Sequence, residues 1–452
     1  MDLESQIRHL HGPEEVTYAP DELVVVCLVR DGRPYLKSFI EHYFSLGVKH
    51  IVFLDNGSTD GTVSVAQSYE NVTILQTELS FEGHLGFMKQ YLVTRFGRDR
   101  WILCVDIDEL FDYPYSDVVG LSPFLRYLTE KSYTAVVAQM LDMFPDKPLS
   151  GRASEWDEPL KELHRFYDIS DIGRQSYYSR DKSARNTVAS EEIEIYRDGI
   201  RKTIFENGAL LTKHPLMFID EDRRPVARAN WVGGAHVADI TCVLFHYMFA
   251  GDFYDRAVRV VKEETLSKAS RNYKMFLKTL EQNPELRIKR ETAQELESVN
   301  DLVDNQFLVI SADYMAWVYS EERKSASDND VQGDGAPRWL IEAFSKISAR
   351  ARTQARVARV LEYQVERLKR NLAIERQTEE RLQAKNSQLR EKHRKAKNDL
   401  VAKNRQSIEQ LKNLKERNRD LERQIRDIQG SRSWKLLGKI SRIRARVMPR
   451  RG

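Results

Sequence analysis

Three acidic side chains stand close together where a run of apolar residues ends. The segment RWILCVDIDELFDYP, residues 100–114, leads from Trp-Ile-Leu-Cys-Val directly into Asp106, Asp108 and Glu109. In an extended chain, residues two apart point to the same side, so Asp106 and Asp108 can face one cation together. Carboxylate oxygens suit Mg²⁺ or Mn²⁺, which are commonly shared with substrate phosphates. The spacing predicts a divalent metal that carries a diphosphate, and the alternative is a pair of solvated loop acids.

The elements that position these acids alternate between strand and helix. ELVVVCLVRD, VKHIVFLDN, VTILQTE and RWILCVDID have strand character, whereas RPYLKSFIEHYFSLG, TVSVAQSYE and GFMKQYLVTRFG have helical character. Strands and helices in this order predict parallel strands joined by crossovers, and therefore an α/β sheet covered on both faces. Ligands of such sheets bind at the carboxyl ends of the strands. The acids that we expect to gather at this edge are Asp31, Asp55, Asp60, Asp106 and Asp108.

The segment DNGSTDGT, which follows the second strand, also has a purely structural explanation. Asn56 and Gly57 have the residue types of a tight turn, and Thr59 or Asp60 can cap a helix that begins near Gly61. We expect Asp55 to be needed for neither the turn nor the cap. Asp55 therefore remains a candidate ligand-binding residue under both explanations.

These segments together resemble a known family. CLVRDGRPYLKSFIEHYFSLGVKHIVFLDNGSTDGT, followed by RWILCVDIDELF, is similar to the nucleotide-sugar half of glycosyltransferases with the A-type fold, of the family 2 kind and its family 92-like relatives. The resemblance spans roughly residues 20–255 and implies a Rossmann-like nucleotide-sugar-binding domain. Relatives often have Arg-Asn-Glu where this chain has Arg30-Asp31-Gly32.

The resemblance also implies roles for individual residues. Asp55 would hold the nucleobase or ribose, Asp106 and Asp108 would be the metal ligands, and the backbone after the first strand would line the nucleoside pocket. The donor-binding residues that it implies are Val29, Arg30, Asp31, Asp55, Asn56, Gly57, Lys89 and Lys213.

Histidines in the second half of this region are further candidate metal ligands. A lone histidine at the end of an apolar run such as CVLFHY is more often a buried core residue than a ligand. The resemblance favours a ligand, because A-fold transferases commonly bring a late histidine to the metal. It makes His246 the first choice and His236 the second, and it implies that Lys213, in LLTKHPLMF, neutralises the diphosphate.

The chemistry that the resemblance implies is sugar transfer from a nucleoside diphosphate sugar to a glycan or lipid-linked acceptor in bacterial surface polysaccharide synthesis. The resemblance also implies that the configuration at the transferred sugar carbon is inverted, and an inverting enzyme requires a carboxylate base. Asp239 and Glu162 are the candidate bases. The alternative is a coiled-coil scaffold whose α/β domain binds a nucleotide sugar without turning it over.

Charge divides the chain into two dissimilar parts. Residues 341–452 have a net charge of +19, whereas residues 1–340 have a net charge of −16. The polar segment EERKSASDNDVQGDGAP separates the two parts and predicts a linker. We therefore predict an N-terminal extension (1–19), a catalytic domain (20–320), a linker (321–340), a coiled coil (341–429) and a basic amphipathic tail (430–452).

The positions of the cysteines and the character of the apolar segments indicate an intracellular enzyme. Cys27, Cys104 and Cys242 lie in apolar runs rather than at disulfide or zinc spacings. The sequence shows no secretory signal and no run of about 18 apolar residues. We expect a cytoplasmic protein that is peripheral at the cytoplasmic face of the membrane.

The basic part contains two apolar patterns. Two heptad seams, the second in a shifted phase, predict self-association through a coiled coil, and a solvated single helix is the alternative. The first seam contains Leu361, Val365, Leu368, Leu372, Leu382 and Leu389, and the second contains Leu411, Leu414, Leu421, Ile425 and Ile428.

The last 23 residues contain eight basic residues and no acidic residue. Trp434, Leu437, Ile440, Ile443 and Val447 lie near one face of the helix that this segment predicts. Such a helix is typical of binding to an anionic membrane surface. Nucleic acid is the competing partner of the basic arm, and the absence of interleaved aromatic residues and of a recognised reading motif counts against it.

Overall fold

The computed structural model describes residues 4–149, 159–179, 185–223, 225–226, 230–250, 253–262, 268–326 and 354–447. The chain divides into two units, Met1–Gln354 and Ala355–Gly452. The predicted linker begins inside a helix, Ala312–Ala326, and most of it lies outside the described residues.

The strands are β1 (Ile7–His11), β2 (Val24–Val29), β3 (His50–Asp55), β4 (Val72–Thr77), β5 (Arg100–Asp106), β6 (Glu109–Asp112), β7 (Ala135–Asp142), β8 (Phe166–Tyr167), β9 (Ile172–Ser176), β10 (Thr187–Val188), β11 (Glu194–Asp198), β12 (Thr212–Ile219), β13 (Pro225–Val226), β14 (Trp231–Val232), β15 (His236–His246) and β16 (Gln294–Glu295). The helices of the first unit are α1 (Arg33–Ser45), α2 (Thr62–Ala66), α3 (Phe81–Phe96), α4 (Leu121–Glu130), α5 (Leu160–Leu163), α6 (Ile200–Phe205), α7 (Phe253–Lys262), α8 (Lys268–Gln282), α9 (Val299–Asp304) and α10 (Ala312–Ala326). The remaining helices are α11 (Gln354–Gly430) and α12 (Arg432–Val447).

Ten strands form the central sheet, in the order β1-β4-β3-β2-β5-β12-β7-β15-β10, with β6 paired to the end of β15. The four strands β4, β3, β2 and β5 are parallel, as the alternating sequence predicts. The second half departs from that prediction, because β12 lies antiparallel between β5 and β7. The sheet is therefore mixed, since the later strands are not all reached through crossover helices.

Apolar side chains cover both faces of the parallel region, which explains its continuous hydrophobic runs. Val25 and Cys27 of β2 belong to one buried cluster with α1, whereas Val24 and Val26 belong to another that includes Met88 of α3. Cys27, Cys104 and Cys242 are buried and free. The prediction that helices cover both faces is confirmed.

The order of the parallel strands reverses beside β2. The chain builds β2, β3 and β4 outward in one direction and then returns to place β5 on the other side of β2. Such a switch point opens a crevice between the carboxyl ends of the two strands that flank it, and α/β sheets bind ligands there. Here the flanking ends are the segments after Val29 and Asp106.

Side chains of α1 complete the hydrogen bonding of β6. The Tyr43 hydroxyl donates to the carbonyl of Glu109 and accepts from the N–H of Phe111, each at 2.9 Å. His42 Nε2 lies 2.7 Å from the Phe111 carbonyl. The edge of β6 that faces away from β15 is thus paired with side chains, and this pairing fixes the segment that follows Asp108.

The second unit consists of α11 and α12. In its described part, no side chain from 380 to 430 is buried, which agrees with the high content of charged residues in this segment. The long helix is confirmed, and its association into a coiled coil stays a prediction. No helix among the described residues has a stretch long and apolar enough to cross a bilayer.

Candidate functional site

Two lysines hold Asp106, the last residue of β5, at the carboxyl edge of the sheet. Lys89 Nζ of α3 lies 2.5 Å from one Asp106 oxygen, and Lys213 Nζ of β12 lies 3.1 Å from the other. Lys213 also pairs with Glu109, whose side chain is 1% exposed. The second Glu109 oxygen accepts from the Asp106 N–H at 3.2 Å. Asp106, Glu109 and the two ammonium groups form one alternating chain of charges.

Electrostatics keep this chain ionised. Burial on its own raises the pKa of Asp106, but Lys89 and Lys213 outweigh burial and hold that pKa well below its ordinary value. Burial on its own lowers the pKa of Lys89 and of Lys213, and their carboxylate partners raise both pKa values above the ordinary lysine value. Asp106 is therefore a carboxylate across the physiological pH range.

A second chain of charges begins at Asp108, in the turn between β5 and β6. His246 Nε2 lies 3.5 Å from Asp108, and its Nδ1 lies 2.6 Å from Asp142 at the end of β7. The other Asp142 oxygen accepts from Arg201 Nε of α6 at 2.8 Å. Burial on its own lowers the pKa of His246, but the two carboxylates outweigh it and raise that pKa to about 9.

These contacts show which groups compensate the negative charge of the acids that lie close together in RWILCVDIDELF. Four carboxylates meet here, and the chain itself supplies four compensating cations when His246 is protonated. The carboxylates are those of Asp106, Asp108, Glu109 and Asp142, and the cations are those of Lys89, Lys213, Arg201 and His246. We predicted that a metal provides the missing charge, whereas protein side chains already balance this edge of the sheet.

Asp108 and His246 are the two predicted metal ligands that face each other. Across the described ranges, no group of three or more His, Cys, Asp and Glu side chains is arranged to hold a metal. Both Asp106 oxygens are engaged by lysines, whereas Asp108 and His246 face each other through one oxygen and one nitrogen. Mg²⁺ needs only one or two protein ligands when substrate phosphates and water complete its shell. Asp142 fixes His246 through Nδ1, which leaves Nε2 directed at Asp108.

The loops after β2 and β3 bind each other beside this cluster. Asp31 has a left-handed backbone (φ 50°), its N–H donates to Ser58 Oγ at 2.8 Å, and its carboxylate accepts the Thr59 N–H at 2.8 Å. The Arg33 N–H donates to Asp60 at 2.9 Å. Arg30 is exposed and Val29 is buried. The two loops therefore form one rigid rim along the switch-point crevice.

Asp55 has a structural role in the turn, although we expected it to be needed for neither the turn nor the helix cap. It is fully buried, accepts the N–H groups of Gly57 and Ser58 at 3.1 Å, and accepts Gln76 Nε2 at 2.9 Å. The buried Asn56 side chain donates to two carbonyls near the end of β4. Asp55 thus shapes the turn, and the exposed residues of this segment include Gly57 and Thr59.

The helix after this turn begins one residue later than we predicted. Gly61 is the N-cap of α2 and has a left-handed backbone (φ 87°) without a side-chain cap. Asp60 accepts the Thr62 N–H at 3.0 Å. The carboxylate is therefore used at the start of the helix, as predicted, but from the residue before the N-cap.

Two other candidates, both in β15, lie away from the cluster. His236 begins β15 and His246 ends it, so they are about 33 Å apart at about 3.3 Å per residue. Asp239 is about 23 Å from His246 by the same measure, and it binds the Tyr127 hydroxyl at 2.8 Å. Glu162 is exposed on the single turn of α5. The structure therefore does not bring His236 or Asp239 to the charged cluster, and the role of Glu162 stays a prediction.

His214 is also separated from Lys213, its neighbour in sequence. It is fully buried and lies 3.0 Å from the Tyr177 hydroxyl, because successive residues of a strand point to opposite faces. His214 therefore belongs to the core, as expected of a lone histidine.

Asp142 and Arg201 were not among the residues predicted from the sequence, and no role was predicted for Glu109. Asp142 had a detectable signal, because AVVAQMLD is an apolar run that ends in an acid, as β5 does. Arg201 had none, since its partner lies 59 residues away.

No family model and no curated protein sequence matches the chain. Among solved structures, a UDP-glucose pyrophosphorylase from Acinetobacter baumanii matches with a TM-score of 0.18 and 10% identity, over 29% of this chain and 60% of that one. A UDP-glucose pyrophosphorylase complexed with UDP-glucose matches with a TM-score of 0.22 and 8% identity, over 68% of this chain and 99% of that one. The chain thus spans about three fifths of the first of these proteins, and scores this low carry no functional argument.

Proposed function

We propose that the chain is a glycosyltransferase of the A-type fold that uses a nucleoside diphosphate sugar at the carboxyl ends of β2, β3 and β5. The observation that carries the proposal is the charged cluster around Asp106 and Asp108, which lies at the topological switch point of the sheet. Nucleotides are typical ligands of this position in doubly wound sheets. Perturbed pKa values grouped at such an edge also favour a functional site.

The rim of the crevice would receive the nucleoside. The backbone after Val29, the exposed Arg30 and the turn at Gly57 are the accessible groups. Asp55 and Asn56 act indirectly, because their side chains are used to hold the turn. Asp31 ties this turn to the loop after β2.

Asp108 and His246 would hold Mn²⁺ or Mg²⁺. When bound, the ion supplies a Lewis acid that offsets negative charge on the departing diphosphate. Asp142 holds the His246 ring through Nδ1, and Arg201 fixes Asp142 in turn. These two residues position the histidine without touching the donor.

Lys213 and Lys89 would have different roles as positively charged groups. Lys213 is the candidate for stabilising the diphosphate, because it keeps 12% of its side-chain surface exposed although two carboxylates share it. Lys89 is only 6% exposed, and its ammonium holds Asp106 ionised and in place. A preorganised positive charge of this kind stabilises charge that develops in the transition state.

The acceptor proposal rests on the family resemblance and on the basic arm. We propose a glycan or lipid-linked acceptor at the cytoplasmic face of a membrane, as in bacterial surface polysaccharide synthesis. The catalytic base is unassigned, because Asp239 lies away from the cluster and Glu162 is placed only by its exposure on α5. The scaffold alternative predicts donor binding without turnover.

The decisive experiment measures binding and hydrolysis of a panel of nucleotide sugars by the full chain with Mn²⁺. Asp108→Asn is the sharper variant, because Asp106→Ala would leave the buried Lys89 unpaired and weaken the fold. We expect Asp108→Asn to reduce turnover by at least about 100-fold and excess chelator to do the same. Asp313→Asn is the matched control, since Asp313 is an exposed acid on α10.

Three outcomes separate the possibilities. Loss of turnover in Asp108→Asn with normal thermal stability supports the proposal. Full activity of Asp108→Asn, or full activity in chelator, removes the metal role. Donor binding without turnover by any nucleotide sugar favours the scaffold.

A further inference from the structure

The last part of α11 carries an apolar stripe that no described residue covers. Its members and their exposed fractions are Leu411 (57%), Leu414 (64%), Leu421 (48%), Ile425 (52%) and Ile428 (54%). At about 3.6 residues per turn these side chains fall within a band of about 100°. A continuous apolar band of this kind on a charged helix marks a surface that another helix covers.

We propose that residues 411–428 pair with the same segment of a second copy of this chain, with both helices running in the same direction and in register. The spacing between successive members alternates between three and four residues when Asn418 is included. In heptad terms, Leu411, Asn418 and Ile425 occupy position a, and Leu414, Leu421 and Ile428 occupy position d. The pairing is independent of the proposed enzymatic function.

Asn418 specifies the partner and the direction. It lies in the stripe and is exposed in the isolated helix. In a parallel two-stranded coil, the two Asn418 side chains meet at the same level and hydrogen-bond to each other. In an antiparallel pair an a residue faces a d residue, so each amide would be buried against leucine without a partner.

Charges beside the stripe agree with the same arrangement. Arg417 occupies position g and Glu422 the following position e, and both are exposed. In a parallel coil, position g of one helix faces the next position e of its partner, so Arg417 meets Glu422 of the second copy. The other two such pairs are Gln410 with Lys415 and Gln424 with Gln429, and neither brings like charges together.

The same frame does not extend far toward the N-terminus of the helix. It places Lys397, Asn404 and Ser407 at core positions, where they contribute little apolar contact, and Leu400 is the one apolar residue at a core position between residues 390 and 410. The paired segment is therefore short, and dilution should reverse its association. The leucines farther upstream, including Leu382 and Leu389, follow a different phase and do not align with this stripe.

The first experiment is sedimentation equilibrium of the full chain over a range of concentrations. We expect a reversible monomer–dimer equilibrium. Arg417→Glu should weaken the dimer several-fold, because the introduced carboxylate would face Glu422 of the second copy. The double variant Arg417→Glu/Glu422→Arg should restore the affinity. Arg419→Glu is the matched control, since it makes the same change of charge at position b on the outer face.

The second experiment measures direction and register through a disulfide. Cys27, Cys104 and Cys242 are buried, so a new cysteine on α11 can be oxidised selectively. Ile428→Cys should give a disulfide-linked dimer, because the two copies of position 428 adjoin each other in a parallel coil. In an antiparallel pair they would lie about 25 Å apart at about 1.5 Å per residue, beyond the reach of a disulfide.

Asn418→Leu tests what the asparagine specifies. We expect the chain still to associate, with loss of the single dimeric state and appearance of larger oligomers. A wild-type chain that stays monomeric at every concentration would overturn the proposal. Failure of Ile428→Cys to crosslink in a dimeric sample, or equal effects of Arg417→Glu and Arg419→Glu, would overturn the parallel in-register arrangement.

Discussion

The two units of the chain place polar and apolar groups in opposite ways. The first unit buries charged side chains at the end of its central sheet and pairs those around Asp106 and Asp108 with opposite charges. The second unit keeps its charges in water and exposes leucines and isoleucines along α11 and α12. Buried charges become costly when one partner is lost, whereas exposed apolar groups gain stability when a partner arrives. Substitutions of buried charged residues should therefore strongly destabilise the first unit. The second unit should instead be stabilised when its exposed apolar groups bind another surface.

Removal of the basic tail should have the largest effect, because it removes the segment of the second unit that we expect to bind an anionic membrane surface. Each base near an anionic bilayer contributes about 1 kcal/mol, and residues 430–452 contain eight bases. We expect the full chain to float with anionic vesicles at low salt and a chain without residues 430–452 to remain unbound. Raising the salt should reduce flotation, since surface attraction is screened within a Debye length.

The apolar face of α12 can be tested separately. Leu437→Gln leaves the charge unchanged and alters a side chain that is 59% exposed, so it should weaken flotation without abolishing it. Trp434, which we also expect at the interface, has its side chain outside the described part of α12. Equal flotation of the intact and truncated chains, or capture of both by neutral vesicles, would favour nucleic acid as the partner.

Breaking the buried network should produce the next largest effect. Lys213→Met conserves volume but leaves Asp106 and the buried Glu109 without their shared cation. We expect a loss of about 3–5 kcal/mol in the free energy of unfolding, measured by urea denaturation. Lys202→Met is the control, because its partner is Asp198 in an exposed pair and its loss should cost at most about 1 kcal/mol. Similar losses in both variants would mean that water reaches the cluster.

A more gradual effect is expected from acid. Burial lowers the pKa of His42 to about 3 and that of His164 to about 4. Because the unfolded chain binds these protons first, near pH 6.5, stability is complete above that pH and falls as the pH decreases toward the folded-state values. Each such histidine should contribute about 1.4 kcal/mol per pH unit within this window.

His42→Gln isolates one of these contributions. Glutamine keeps a donor for the Phe111 carbonyl, which His42 contacts at 2.7 Å, and it has no proton to gain. The variant should therefore show a flatter decline of melting temperature than the wild type as the pH falls from about 6.5 to about 4. An unchanged slope would show that His42 is already protonated in the folded state or is not buried from solvent.

The sequence predicted the features that depend on neighbouring residues. The strands β2, β3, β4 and β5, their parallel pairing and the acids at their ends follow from apolar runs and turn residues within short windows. The long helix follows in the same way from the absence of proline and from its composition. These patterns are local, so one sequence is sufficient to detect them.

Pairings between distant residues could not be predicted. Asp106 meets Lys213 across 107 positions, and Asp142 meets His246 across 104. The antiparallel insertion of β12 brings Lys213 to the site, and no short window reveals the direction of a strand. His236, our second choice of metal ligand, does not reach the cluster, because the eleven residues of β15 place its two histidines at opposite ends.

The pairing of Tyr43 with β6 has a consequence for solubility. An unpaired strand edge is a template on which another polypeptide can add a strand, and proteins aggregate by this route. A phenolic hydroxyl that both donates and accepts occupies the positions that an incoming backbone would use. The edge of β6, which directly follows Asp108, is thereby made unavailable for intermolecular β-pairing without a proline, a bulge or a lysine at the paired positions.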